Sequence, residues 1–143
     1  MIIKSYSRKE PTFSQLINYI NKWASEISLK LNLFWNTQKE IEKEFKINSS
    51  YLNKSKWKNF LYHEIISLSP NNKDKIKTQE LEKILLDIWN QYLQKRAWNS
   101  LAYAKIHTDK KHIHLHICIS ANEREQSKRL RTCLGNIGTV MAY

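Results

Sequence analysis

The feature that most restricts the fold of this chain is a strict alternation between His112 and Ile119. His112, His114, His116 and Cys118 occupy one set of alternate positions, and Ile113, Leu115, Ile117 and Ile119 the other. Successive side chains of a strand point to opposite faces, so this stretch predicts a half-buried β-strand with imidazoles on one side and aliphatic groups on the other. A helix would scatter the same histidines around its circumference. Leu101 to His107 is a second apolar run, and Thr108-Asp109-Lys110-Lys111 between the two has the length of a four-residue hairpin loop. Such a hairpin sets His107 opposite His112, with His114 diagonally across from His107 and His116 one strand step further. Three imidazoles then converge on one face.

Imidazole suits zinc, manganese, copper, iron and nickel, so the set argues for a metal without naming it. Three protein ligands leave coordination positions open, as catalytic sites do and structural ones do not. One histidine on a polar strand face is more often surface decoration. Three alternating on a strand, with a fourth across a hairpin, reverse that weighting.

A chain of 143 residues is read as one domain with a single core. Its 24 Lys and Arg against 13 Asp and Glu give a formal charge of +11, which points to a polyanion as partner. No apolar run approaches the roughly 18 residues that span a bilayer, and Met1-Ile2-Ile3-Lys4 lacks the apolar stretch of a secretory signal, so a cytoplasmic protein without membrane contact is expected. Cys118 and Cys133 fit that compartment as free thiols. Five Trp, seven Tyr and four Phe accompany the charge. Many belong to the core, but accessible aromatic faces on a basic surface also suit single-stranded nucleic acid.

Along the chain, Ile2 to Ser7 predicts a short strand and Thr12-x-x-Gln15 a capping box that opens a helix from about Phe13 to Ser25. The core stripe of that helix is Phe13, Leu16, Ile17, Ile20, Trp23 and Ala24, which leaves Tyr19 on the flank, where a boundary tyrosine with a wet hydroxyl is the common outcome. Leu31 to Trp35 is a further apolar run. Asn36-Thr37 with Glu40 caps a helix through about Phe45. Asn48 to Lys58 is polar, either a loop on a DNA-facing surface or a plain solvated one. Phe60 to Ser69 predicts a strand on which His63 and Glu64 face opposite ways, so one of them faces the site and the other does not. Thr78 opens the longest helix, through about Gln94, with Leu81, Ile84, Leu85, Ile88, Trp89, Tyr92 and Leu93 as its apolar stripe.

His107-x-Asp109-x4-His114-x-His116 resembles the third motif of plasmid mobilisation relaxases, the HUH-class endonucleases. Met1-Ile2-Ile3-Lys4 followed by Phe13-x-x-Leu16-Ile17-x-Tyr19-Ile20 is similar to their first motif, a strand leading to a helix that carries the nucleophilic tyrosine. By that match Tyr19 takes the nucleophile's place, with Tyr6, Tyr62 and Tyr103 as fallbacks. Phe60 to Ser69 is similar to the second motif, in which Ser67 holds the place of a serine near the scissile phosphate and a histidine often stands where His63 does. The resemblance covers Met1 to about Arg131. It implies an α/β (α+β) fold, a mostly antiparallel sheet with helices one and three on its apolar face, the metal and tyrosine on the open face, and the third motif on the two central strands.

It also implies metal-dependent nicking and strand transfer of single-stranded DNA at a plasmid transfer origin through a 5′-phosphotyrosine link. In that scheme His107, His114 and His116 hold a divalent ion (Mn, Mg or Zn), Tyr19 attacks and Ser67 sits by the phosphate. Asp109 orients a ligand ring or accepts the tyrosine proton, and His112 contacts phosphate or serves as a spare ligand. Lys128, Arg129 and Arg131 form a basic cluster for the DNA backbone, and relaxosome accessory proteins are further partners. One rival stays within this chemistry: an HUH-class single-tyrosine transposase or replication initiator, for which only Tyr143 is suitably placed. Two lie outside it, a DNA-binding remnant without turnover and a metal-storage protein. Thr132 to Tyr143 lacks charge and holds both glycines, a composition shift read as an ending unrelated to the domain of residues 1–131, such as a frame change or an artificial boundary.

Overall fold

The computed structural model of the chain describes residues 2–22, 27–53, 58–68, 78–107 and 113–131. The alternating stretch becomes β5 (His114–Glu123), the middle strand of a five-stranded sheet. Its neighbours are β3 (Leu61–Ser67) and β4 (Ser100–His107), and the edges are β1 (Ile2–Arg8) and β2 (Ser28–Leu31), in the order β1-β3-β5-β4-β2. Every pairing is antiparallel. Three helices, α1 (Phe13–Asn21), α2 (Gln38–Ser49) and α3 (Thr78–Arg96), complete an α+β fold, as expected. The two strands of the histidine hairpin lie together at the centre of the sheet.

The helices cover both faces, which corrects the expectation that helices one and three share the apolar one. Leu115, Ile117 and Ile119, with Ala102, Ala104 and Ile106 of β4, pack under α3 through Leu85, Ile88, Trp89, Tyr92 and Leu93. On the opposite face Leu61, Leu101, Tyr103 and Cys118 pack under α1 through Phe13, Leu16, Ile17 and Ile20, joined by Ile41 and Phe45 of α2. The reason is that the histidine face is polar at one end only. Its other half is apolar and would cost about 25 cal/mol for each Å² left in water, so α1 and α2 roof it. The histidines lie where that roof ends.

Local chemistry explains the remaining differences. The box expected at Thr12 does not form, because the Arg8 guanidinium donates to Thr12 Oγ1 and Gln15 Oε1, both at 3.2 Å, and so occupies the two side chains it needs. The helix ends at Asn21 rather than Ser25, with Lys22 extended; Trp23 and Ala24 lie outside the described residues. At Thr37 the N-cap bond does form: Glu40 N donates to Thr37 Oγ1 at 3.4 Å, and Glu40 Oε1 accepts from the Thr37 hydroxyl at 2.6 Å. Helix α2 then continues past Phe45 to Ser49. Of the run Leu31 to Trp35, only Leu31 belongs to a strand, the end of β2. The chain turns at Asn32 (φ 57°), and the Glu44 carboxylate accepts the N–H groups of Phe34 and Trp35 at 2.8 and 3.2 Å.

Helix α3 is also fixed by charge. The Glu64 side chain is fully buried and takes the Arg96 guanidinium at 3.1 Å and the Tyr92 hydroxyl. Arg96 NH1 reaches on to the Arg131 carbonyl at 2.7 Å. Among the described residues no helix is long and apolar enough to cross a membrane. The side chain of Leu81, residues 54–57 of the polar loop and the tail 132–143 lie outside the described residues.

Candidate active site

Alternation sets which side chains share the site, and register sets how near they come. His107 pairs directly with His114, not with His112. The hairpin is therefore longer than four residues, and the expected diagonal becomes a face-to-face contact. A shift of two residues leaves every side chain on its own face, so the histidine face survives the correction. Ser67 pairs with His114 on the far side, giving the row Ser67, His114, His107 across three strands; the next row is Ile65, His116, Lys105, and the one after it Tyr6, His63, Cys118, Tyr103. Asp109 and His112 lie outside the described residues.

Each histidine of the cluster has one ring nitrogen engaged by a different partner. His107 Nε2 donates to the Ile20 carbonyl at 2.7 Å, which fixes its tautomer and ties the ring to the last turn of α1. His114 Nδ1 is 3.0 Å from Ser67 Oγ. His116 Nδ1 is 3.0 Å from Nε2 of His63. Of the adjacent pair His63 and Glu64, it is thus His63 that faces the site, while Glu64 turns to Arg96. Burial, with the Arg8 guanidinium adding to it, pulls the His63 imidazole from its ordinary 6.5 down to about 4. It is neutral at pH 7.

Tyr19 projects from α1 over these rings. Its ring meets His63 and His116 edge-on, at centroid distances of 5.7 and 5.5 Å, and lies 6.4 Å from His107. It remains 47% exposed. The fallback tyrosines separate clearly. Tyr62 faces the α3 side with Arg96 over its ring. Tyr103 is buried and donates to Asn21 Oδ1, and burial raises its pKa. Tyr6 shares the histidine face, 6.2 Å from His63 and 52% exposed.

The rings can be tested against a divalent cation by their own geometry. Imidazoles on one ion, with metal–nitrogen bonds of about 2.1 Å, hold their ring centres roughly 5 Å apart. The His107–His116 and His114–His116 separations are 4.3 and 6.0 Å, which bracket that value. Ligating histidines also give their second nitrogen to a carbonyl or similar partner, as His107 does to the Ile20 carbonyl, while His114 and His116 each have Nδ1 against a hydroxyl or an imidazole. Among the described residues no three His, Cys, Asp or Glu side chains are placed to hold a metal ion as the rings stand. The donor chemistry of the three imidazoles is nonetheless that of a divalent-cation site.

Cations missed by the sequence reading stand on the same face: Lys105 opposite His116, with Lys4 and Arg8 on β1. The available signal was parity, since 105 and 107 share a face. The expected basic cluster lies elsewhere. Arg129 bridges Asn122 near the far end of β5, six residues or ~20 Å from His116. Its guanidinium donates to the Asn59 and Asn53 carbonyls, while Lys128 pairs with Glu123 at 3.6 Å and Arg131 is exposed. A groove of about 450 Å³ beside Phe34, Ile47 and Tyr51 shares no residue with the histidine cluster.

The central antiparallel hairpin thus carries the clustered histidines, with the tyrosine of α1 above them. A family model described as relaxase, MobA/VirD2-like, nuclease domain, matches residues 8–137, so the chain belongs to that family. Nicking and strand transfer of DNA are the activities of the family. No curated protein matches the chain in sequence.

Proposed function

We propose that this protein nicks one strand of DNA at a plasmid transfer origin and holds the cut end on Tyr19 during mobilisation. The observation that carries the reading is the half-exposed Tyr19 ring above His63, His107 and His116, with distances of 5.5 to 6.4 Å between ring centres. Tyr19 Oη attacks the scissile phosphorus. The phosphorus–oxygen bond to the 3′ side breaks, leaving a 5′-phosphotyrosine and a free 3′-hydroxyl, and attack by that hydroxyl reverses the step.

His107, His114 and His116 hold a divalent cation in this scheme. When bound, such an ion polarises the phosphate and offsets its developing charge. The chain's own groups do the rest. His107, bonded to the Ile20 carbonyl, keeps the end of α1 and hence Tyr19 against the cluster. Ser67 orients His114. Lys105, Lys4 and Arg8 give the incoming strand positive charge on the same face. Asp109 accepts the tyrosine proton or orients a ligand ring, and Lys128, Arg129 and Arg131 grip a strand that extends beyond the site.

The test is incubation with Mn2+ or Mg2+ and end-labelled single strands from the transfer origin of its own replicon, read by denaturing gel and mass spectrometry. A covalent adduct present in the native protein, absent in Tyr19→Phe and retained in Tyr6→Phe is the expected result. Salt-sensitive binding without an adduct would replace this reading with that of a DNA-binding remnant.

A further inference from the structure

We infer that His63 is a positioning residue for His116: it accepts the Nδ1 proton of His116 and thereby commits the opposite nitrogen of that ring, Nε2, to a divalent cation. The inference rests on the metal-binding part of the reading above and extends it to a side chain outside the ligand set.

The geometry is specific. His63 and His116 are each more than nine-tenths buried, and their nitrogens are 3.0 Å apart. The two residues are not direct partners in the ladder, since His63 pairs with Cys118 and His116 with Ile65. The bond therefore runs diagonally between β3 and β5 and needs both rings turned toward each other. Buried ring nitrogens are costly to leave unpaired, and a neutral imidazole has one donor and one acceptor, so a bond on one nitrogen dictates the tautomer. His107 has its tautomer set by a carbonyl. His114 meets a hydroxyl, which donates or accepts. The Nδ1 of His116 meets a second imidazole, and Tyr19 and Tyr6 close over that imidazole at 5.7 and 6.2 Å. An outer partner of this kind orients its ligand and strengthens it, and its loss costs about 10–100-fold in metal affinity.

Two variants and two readouts test this. His63→Phe keeps a ring of similar size without an acceptor, and His63→Gln restores an acceptor oxygen at similar reach. Mn2+ and Zn2+ affinities come from calorimetry, and the His116 tautomer from nitrogen chemical shifts of the metal-free, 15N-histidine-labelled protein. We expect His116 to carry its proton on Nδ1 in the native protein, His63→Phe to weaken cation binding about 10–100-fold and mix the tautomers, and His63→Gln to recover most of the affinity. Equal affinity in all three proteins overturns the inference and leaves the metal site standing. A native protein with its His116 proton on Nε2 overturns it even if His63→Phe does not fold. A native protein that binds neither ion overturns the inference and the metal site together, whereas loss of the tyrosine adduct alone leaves the inference intact.

Discussion

Four tyrosines competed for one role on the strength of the sequence, and their surroundings separate them. Tyr62 and Tyr103 are committed to the core, one beneath Arg96 and the other to Asn21. Tyr19 and Tyr6 are the pair on the histidine face with exposed rings. Cys118 illustrates how burial alone controls reactivity. Its thiol sits within the α1–α2 core, and burial raises its pKa far above the ordinary value. The thiolate is the reactive form, so folded protein at pH 8 should leave Cys118 unlabelled by a maleimide and unfolded protein should expose it, as peptide mass mapping will show. Because the folded pKa is raised, the thiol favours the folded state at neutral pH, and that preference declines as pH rises past its ordinary 9.

At the scale of elements, the two helical layers are attached in different ways. Helix α1 is held by four fully buried apolar side chains and, at its end, by the His107 bond to Ile20. Leu16→Ala should cost about 2–5 kcal/mol in urea unfolding. The same change should loosen Tyr19, which stands one turn further along the same helix. Helix α3 depends on the buried Glu64–Arg96 pair as well as on its apolar stripe. Arg96→Leu strands a buried carboxylate and should cost about 3–5 kcal/mol, whereas changing Glu64 and Arg96 together to Leu and Met should cost far less. Similar losses in the single and double variants would show that the pair contributes packing rather than charge.

The whole molecule carries +11, and two groups of its cations stand apart in the fold. Lys4, Arg8 and Lys105 share the histidine face, while Lys128 and Arg129 lie about 20 Å away near the far end of β5 and Arg131 lies beside Arg96. Affinity for single strands should fall as salt rises, with a slope of about 0.7 in log affinity per phosphate contacted. Lys105→Ala should flatten that slope for short and long oligonucleotides alike. Lys128→Ala should flatten it only for oligonucleotides long enough to reach the far end, which titrations at several salt concentrations with two lengths will resolve.

The amino-acid order by itself determined which side chains share a face. The alternation from His114 to Ile119 survives in β5, the described members of the apolar stripes of α1 and α3 face the core as their spacing requires, and His63 and Glu64 diverge as neighbours on a strand must. Side-chain direction is a local property of the backbone, which is why a period in the sequence suffices to read it. Three decisions were left to the tertiary structure. The pairing of His107 with His114 differs from the expected one by two residues, a shift to which alternation is blind. Helix α1 covers the histidine face because Leu61, Leu101 and Cys118, far apart in sequence, together make half of that face apolar. The contacts of His63 with His116 and Tyr19 join β3, β5 and α1. Such contacts depend on which strands become neighbours and in what register, and that is set by the packing of the whole sheet.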